Sequence, residues 1–510
     1  MNYAPQVTPA LRMGSARGRW VLAATIAGSG LAALDATVVN VALARIGTDF
    51  DASFSALQWI TNAYTLTLAA FILLGGVLGD LYGRRRVFLV GVVWFAAASA
   101  LCALSPNAET LIAARALQGI GGALMTPGSL SIISATFHAA DRARAIGAWS
   151  GLGGIAAAVG PFLGGWLVGV DWRLVFLVNL PVAAVIVAVT LRHVPETRDE
   201  SVGDERRVDV RGAALVVVAL TGVTYALTDA GQRGWSLAVL VAGVVGVGAG
   251  VAFVAAERRT ASPLIRLDMF RDRVFTATNV VTVFVYAALS VYFFLIVLQL
   301  QVVTGWSPLA AGTSLLPVTV LMLLLSARFG ALAARVTPRP LMAVGSILAA
   351  LGLLLALRIG PDSSYVVDVL PSAVALGLGL SCAVAPLTSA VLDAAPAHLA
   401  GAASGINNAT ARSAGLLAIA VVPALAGLSG AGLEDATTFD RGFRTAMLIG
   451  AGLLLTAAAV SWLGLPRSGQ PQTSAEDADR LPVQRTHHCP VSAPTPHPDP
   501  VRPLDEDLRR

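Results

Sequence analysis

Asp35 stands in the run Leu34-Asp35-Ala36-Thr37-Val38-Val39-Asn40, inside a longer apolar stretch. An ionised acid at the centre of a membrane helix costs at least ~2.5–3.5 kcal/mol, and a helix with no use for it would carry Ala or Leu. Two readings follow. The carboxyl takes up and returns a proton, or it is locked in a structural pair with a fixed cation. Arg115 is the natural cation. At ~1.5 Å of rise per residue, Asp35 lies about 12 Å from the outer end of an outward-running span and Arg115 about 9 Å from the outer end of an inward-running one, nearly the same layer. Asp80 ends another apolar run, where a negative charge meets the negative end of the helix dipole and needs a cation or another helix's N-terminus. Arg84, Arg85 and Arg142 are within reach. With Gly76 and Gly83, this cluster can act as a conformational latch, or its arginines can serve only to set topology. A third charge, Arg412, sits in Asn407-Asn408-Ala409-Thr410-Ala411-Arg412. It is a candidate substrate or charge site, the alternative being a bond to a carbonyl. Arg328 is near the end of its run and can snorkel.

The elements that carry these residues are long apolar helices. Of 510 residues, 13% are charged and 56% hydrophobic, whereas a soluble domain has roughly 25% charged residues. Such a chain needs lipid. The net charge of +5 falls on no soluble basic domain, so nucleic acid is not an expected partner. Runs long enough to cross ~30 Å of hydrocarbon lie at 20–43, 56–79, 87–104, 109–135, 145–170, 174–191, 211–229, 236–256, 274–300, 309–333, 340–358, 367–391, 401–428 and 443–465. With the N-terminus inside, inner loops hold most arginines (Arg84, Arg85 and Arg86; Arg142 and Arg144; Arg258, Arg259 and Arg266), while Arg45, Arg173, Arg233, Arg358, Arg441 and Arg444 fall outside. That bias places both termini in the cytoplasm. The first run is too long for a signal peptide and continues into further spans, so no cleavage is expected.

Cys102, Cys382 and Cys489 are far apart, and a disulfide framework is not expected. His487, His488 and Cys489 lack a fourth ordered ligand, a weak basis for a metal site. None of the six histidines falls at a span centre, which speaks against an intramembrane metalloenzyme. No metal or cofactor is expected. The segment 257–273 carries Leu264, Leu267 and Phe270 among arginines, and reads either as a helix on the membrane surface or as a simple loop. Gly76-Val77-Leu78-Gly79-Asp80 and Gly330-Ala331-Leu332-Ala333-Ala334 form an internal repeat, each followed by an arginine at the same offset, Arg85 and Arg339. In the fifth run, Gly160, Gly164 and Gly165 let another backbone approach, and Pro161 frees a carbonyl. Ordinary helix packing is the alternative role.

Five stretches resemble one family. Leu34-Asp35-x-Thr37-Val38-Val39-Asn40-Val41-Ala42-Leu43 is similar to the first-span motif of the fourteen-span drug:proton antiporters of the major facilitator superfamily. Gly76-x-Leu78-Gly79-Asp80-x-x-Gly83-Arg84-Arg85-Arg86 resembles the superfamily's loop motif between spans 2 and 3. Leu111-Ile112-x-x-Arg115-x-Leu117-Gln118-Gly119 resembles its fourth-span motif. Gly147, followed by Gly160-Pro161-x-x-Gly164-Gly165, resembles the antiporter motif of span 5. Trp172-Arg173-x-x-Phe176-x-x-Asn179-x-Pro181 is also similar to that subfamily. Ala44 and Ala156 stand where the family usually has Pro and Gly, and Ala334 stands where the first copy of the loop motif has Asp80.

The resulting expectation is an all-α integral membrane protein with the major facilitator superfamily fold: two six-helix bundles plus two additional central spans, 14 transmembrane helices. Its parts would be a cytoplasmic segment 1–19, a bundle 20–192, two extra spans with linkers 193–273, a bundle 274–465 and a disordered cytoplasmic tail 466–510. The resemblance implies a multidrug-efflux antiporter of the cytoplasmic membrane. It would export small amphipathic compounds by alternating access, act as a monomer, and use Asp35 and Arg115 for proton coupling. No acid lies deep in the spans from 274 onward, so neutral, monocationic or anionic substrates fit better than dications. A proton-coupled importer of a small metabolite and a non-transporting membrane sensor are the alternatives.

Overall fold

In hydrocarbon no water satisfies a backbone N–H or C=O, so a spanning segment must bond within itself. The apolar runs accordingly fold as helices. The computed structural model describes residues 11–198, 209–260, 263–395, 399–428 and 435–466. The tail from 467, with His487, His488 and Cys489, lies outside the described residues.

We number the long helices α1 Ala16–Phe50, α2 Phe54–Tyr82, α3 Arg84–Ala103, α4 Ala108–Thr136, α5 Ala139–Val168, α6 Leu174–His193, α7 Val210–Arg233, α8 Leu237–Glu257, α9 Arg273–Leu298, α10 Pro308–Ala333, α11 Pro338–Leu355, α12 Leu370–Asp393, α13 Ala400–Leu425 and α14 Ala436–Gly464. Many begin at a short polar side chain. Ser53, Asn107, Ser236, Asp272 and Ser307 each accept a backbone N–H of the first turn, which satisfies one of the orphan donors there.

Among the described residues, twelve helices are long and apolar enough to cross a membrane. α4 and α5, with 29 and 30 residues, are not in that set. The composition of α4 explains its low apolarity: Arg115, Gln118, Gly119, Gly121 and Gly122 are buried in it. It packs on α2 and α3 and has little need to face lipid. The segment before α9 is neither a long surface helix nor a plain loop. It forms a short 3-10 turn, Leu267–Arg271, whose buried Met269 joins Phe275, Val391 and Ile406 in a small apolar cluster.

The internal repeat extends to helix pairing. α1 packs on α5 and α6, α2 on α4, and α3 on α4 and α6. Eight helices later, α9 packs on α13 and α14, α10 on α12, and α11 on α12 and α14. Two seams join the six-helix groups, and they too are related: α2 against α13, and α5 against the start of α10. The inserted helices α7 and α8 pack on each other, and α7 also touches α2 and α13. The hydrogen bonds that cross between the groups lie toward the arginine-poor end. Gln58 Nε2 donates to the Ile419 carbonyl at 2.6 Å, and Gln301 Nε2 to the Val41 carbonyl at 3.0 Å. Phe54 adds edge contacts to Phe294 and Phe439. That end is closed.

The repeat also reaches single dihedrals. Gly83, between α2 and α3, has φ +105°, and Thr337, between α10 and α11, has φ +98°. The two positions share the offset that relates Gly76 to Gly330 and Arg85 to Arg339. Glycine tolerates this backbone, whereas a β-branched residue is strained there by ~1–3 kcal/mol. Thr337→Gly is therefore expected to raise the unfolding temperature of the purified protein, and Gly83→Val to lower it. A Thr337→Gly variant that melts below wild type would show that the threonine side chain stabilises the break.

Candidate functional site

Asp35 sits midway along α1, fully buried, and its carboxylate meets three donors from two other helices. Arg115 Nη1 of α4 donates to Oδ2 at 2.5 Å. Gln118 Nε2, one turn further along α4, donates to Oδ1 at 2.8 Å. Asn179 Nδ2 of α6 donates to the same oxygen at 2.9 Å. A protonated acid needs an acceptor for its hydroxyl, and the partners here all donate, so this is the hydrogen-bond set of a charged carboxylate. Arg115 is equally enclosed. It donates to Gln118 Oε1 at 2.6 Å and to the Ile60 carbonyl at 3.2 Å, and lies over the Tyr64 ring at 4.3 Å. Gln118 thus bridges the pair, its oxygen toward the cation and its nitrogen toward the anion. Ser99 of α3 accepts from both Gln118 and Asn179 and closes the cluster. Neither charge reaches water: the exposures are 1% for Arg115 and 0% for Asp35.

Gln118 and Asn179 were quoted in motifs, yet their sequence gave no reason to place them on Asp35. Ser99 carried no signal at all. The missing information was rotational. Only the packing of α1, α3, α4 and α6 decides which faces meet. One loose end remains in the cluster: Asn179 Oδ1 is buried without a partner. Asn179 also lines a cavity of about 200 Å³ with Ile26, Leu34, Ala156, Val178 and Val182.

The Asp80 cluster lies at the arginine-rich end. Arg84 holds Asp80 Oδ1 through Nε at 3.0 Å and Nη2 at 2.9 Å. Arg85 turns away and donates to the Leu191 carbonyl at 2.9 Å. Arg142 is exposed. A residue the sequence did not single out, Glu196, caps α3 by accepting the Arg85 backbone N–H at 3.1 Å, and its carboxylate lies against Gly83. All these contacts stay within the first six-helix group. Gly76 makes only an ordinary contact with Pro127.

The glycines of α5 divide three ways. Gly147 is exposed with open space beside it. Gly160 and Gly164 lie against Thr37 and Val38 of α1, two and three residues past Asp35. Gly165 lies against Pro308 at the start of α10, where an added methyl would come within 2.6 Å of the Pro308 carbonyl oxygen. The Pro161 carbonyl in turn lies against Gly312 of α10, a partner the sequence did not point to. One short stretch therefore touches both the helix of the buried acid and the opposite group. Arg412 of α13 is partly buried, and its Nε donates to Asn408 Oδ1 at 3.0 Å. Arg328 is exposed.

The sequence profile of the Major Facilitator Superfamily matches residues 25–420. The chain is 36% identical over 383 residues to "Multidrug resistance protein Stp" of Mycobacterium tuberculosis (strain CDC 1551 / Oshkosh), covering 74% of this chain and 70% of that protein. It is 36% identical over 416 residues to the "Tetracenomycin C resistance and export protein" of Streptomyces glaucescens, covering 80% and 76%. It is 34% identical over 429 residues to the "Methylenomycin A resistance protein" of Streptomyces coelicolor (strain ATCC BAA-471 / A3(2) / M145), covering 83% and 88%. Among solved structures, a POT family transporter aligns with TM-score 0.62 at 16% identity, covering 87% of this chain and 97% of that one. A bacterial homologue of the lysosomal transporter Spinster, solved inward-facing, aligns with TM-score 0.62 at 17% identity, covering 88% and 97%. With its helical repeat, buried charge pair and matched profile, this chain belongs to the Major Facilitator Superfamily.

Proposed function

We propose that the protein is a proton-coupled antiporter that exports small amphipathic compounds across the cytoplasmic membrane by alternating access. The observation that carries this reading is the enclosed pair of Asp35 and Arg115, set in a chain whose relatives are named for multidrug and antibiotic resistance and export. The count is fourteen spans, with α4 and α5 crossing as low-apolarity helices. Both termini face the cytoplasm, which makes the closed, arginine-poor end the outer one, and the protein acts as a monomer.

The geometry supports a route for the coupling. The acid on α1 is held by donors on α4 and α6. It can take a proton only when at least one of them withdraws, because a neutral acid cannot accept as strongly from all three. Gly160 and Gly164 let α1 ride closely on α5, and Gly165 meets α10 of the opposite group. A rocking of one group on the other therefore moves α1 against its donors. Proton uptake on the outer side and release on the inner side then pull the cycle one way. A membrane potential of ~100 mV supplies about 2.3 kcal/mol per charge moved. The Asp80–Arg84 pair, with Glu196 capping the start of α3 beside it, is the cytoplasmic latch of this reading.

Asp35→Asn is expected to abolish uncoupler-sensitive efflux while the protein still reaches the membrane. Efflux like wild type from that variant, collapsing with an uncoupler, would remove Asp35 from the proton path. The charge pair gives a second test. Neutralising Arg115 alone strands a buried carboxylate and should destabilise by ~3–5 kcal/mol. The double neutralisation of Asp35 and Arg115 should cost less than the sum of the singles by ~0.5–3 kcal/mol. Unfolding of the four proteins in detergent measures this, and strictly additive effects would mean the pair is not coupled. Asp80→Asn should slow transport and leave substrate affinity intact; lost affinity at an unchanged rate of conformational exchange would contradict the latch.

A further inference from the structure

Arg412 is a half-buried cation that the proton site does not use. It stands in the middle of α13, where its neighbours Ala411, Ala414, Gly415 and Leu416 are buried while it keeps partial exposure. Its one side-chain bond is the donation from Nε to Asn408 Oδ1 at 3.0 Å, which leaves most of its five donors unused. No carboxylate pairs with it among the described residues. The deep acid nearest in kind, Asp35, is committed to Arg115, Gln118 and Asn179.

Its surroundings point to a ligand. α2 runs antiparallel to α13, with Gln58 opposite Ile419 and Leu73 opposite Gly405, which places Asn62 and Thr65 within a turn of Arg412. Asn62 is 0% exposed, and neither its Oδ1 nor its Nδ2 has a partner. A fully buried amide with nothing to bond is rare and needs an explanation. Tyr286 of α9, from the other group, lies along the same stretch of α13: its backbone carbonyl oxygen is 3.8 Å from where a Cβ on Gly415, about one turn past Arg412, would stand.

We propose that Arg412, with Asn62 within a turn of it on α2 and Tyr286 across from it on α9, forms a subsite for an oxyanion carried on a planar amphipathic substrate: a carboxylate or an ionised phenol or enol. A guanidinium and a free amide supply donors for the oxygen, and the partly exposed Tyr286 ring supplies a face for the apolar body. This rests on the exporter reading for its physiological meaning. On that reading, one proton moving in and one anion moving out together shift two positive charges inward per cycle, so the membrane potential acts on both fluxes in the same direction.

Equilibrium binding to the purified full-length protein tests the subsite without any gradient. The probes are fluorescein, its methyl ether methyl ester, which has no ionisable oxygen, and the cationic dye rhodamine 6G. Wild type should bind fluorescein most tightly. Arg412→Gln should weaken fluorescein about 10–100-fold, the loss of a charge-assisted bond, and change the other two little; Arg412→Lys should keep most of the affinity. Equal weakening of all three dyes in Arg412→Gln, or no weakening, overturns the proposal. If Arg412→Gln does not fold, the wild-type comparison decides it: no preference for fluorescein over its methyl ether methyl ester overturns it as well. Failure of the exporter reading shows elsewhere, as absence of energised efflux in vesicles whose protein still binds fluorescein.

Discussion

A charge inside hydrocarbon has no water to answer it, and the architecture around Asp35 is a response to that fact. One anion and one cation on different helices can be buried together only if the helices hold a fixed register, because each charge left alone is far more costly than the pair. Arg115 and Gln118, one turn apart on α4, hold opposite oxygens of the Asp35 carboxylate, and Asn179 fixes α6 to the same group. Ser99 brings in α3. Four helices are pinned at one point near mid-membrane. That pin ties the register of the four helices to one another, and on the antiporter reading it makes proton binding at Asp35 a matter of helix position.

Close packing transmits that position outward. Large side chains between α1 and α5 would act as a soft spacer, whereas glycines put backbone against backbone. The stretch Gly160–Gly165 meets α1 on one side and α10 on the other, so a displacement at the α5/α10 seam cannot be absorbed locally. Gly312 reciprocates on α10 by lying against the Pro161 carbonyl. Packed cores of this kind switch between arrangements and do not deform smoothly.

Much of this was legible in the chain. Asp35 and Arg115 announced themselves because a charge in an apolar run is conspicuous, and helix rise alone put them near one depth. Asp80 announced its need for a cation in the same way. The neutral members did not stand out: Ser99, Gln118 and Asn179 are unremarkable residues until one knows which way each helix faces. Glu196 was hidden for a different reason. It sits in the segment after α6, and only the chain's return to the start of α3 brings it to the Arg85 amide. The span count shows where hydropathy stops being informative. α4 is low in apolarity because Arg115, Gln118 and several glycines are buried in it, and those residues of the candidate site keep it out of the set of helices apolar enough to cross.

The inserted pair α7 and α8 breaks a symmetry that the two groups otherwise keep. α7 lies on both α2 and α13, with Trp59 of α2 meeting Tyr225 of α7 at 6.4 Å between ring centres, while α8 turns Val241, Val244, Val247 and Val251 outward. The α2/α13 seam thus has a protein strap along its flank, and the α5/α10 seam has none from this pair. Acyl chains press on the second seam and are held off the first. On the alternating-access reading, bilayer thickness and lateral pressure would then act through one side of the molecule, a mechanical handedness in the plane of the membrane that a twelve-helix repeat alone would lack.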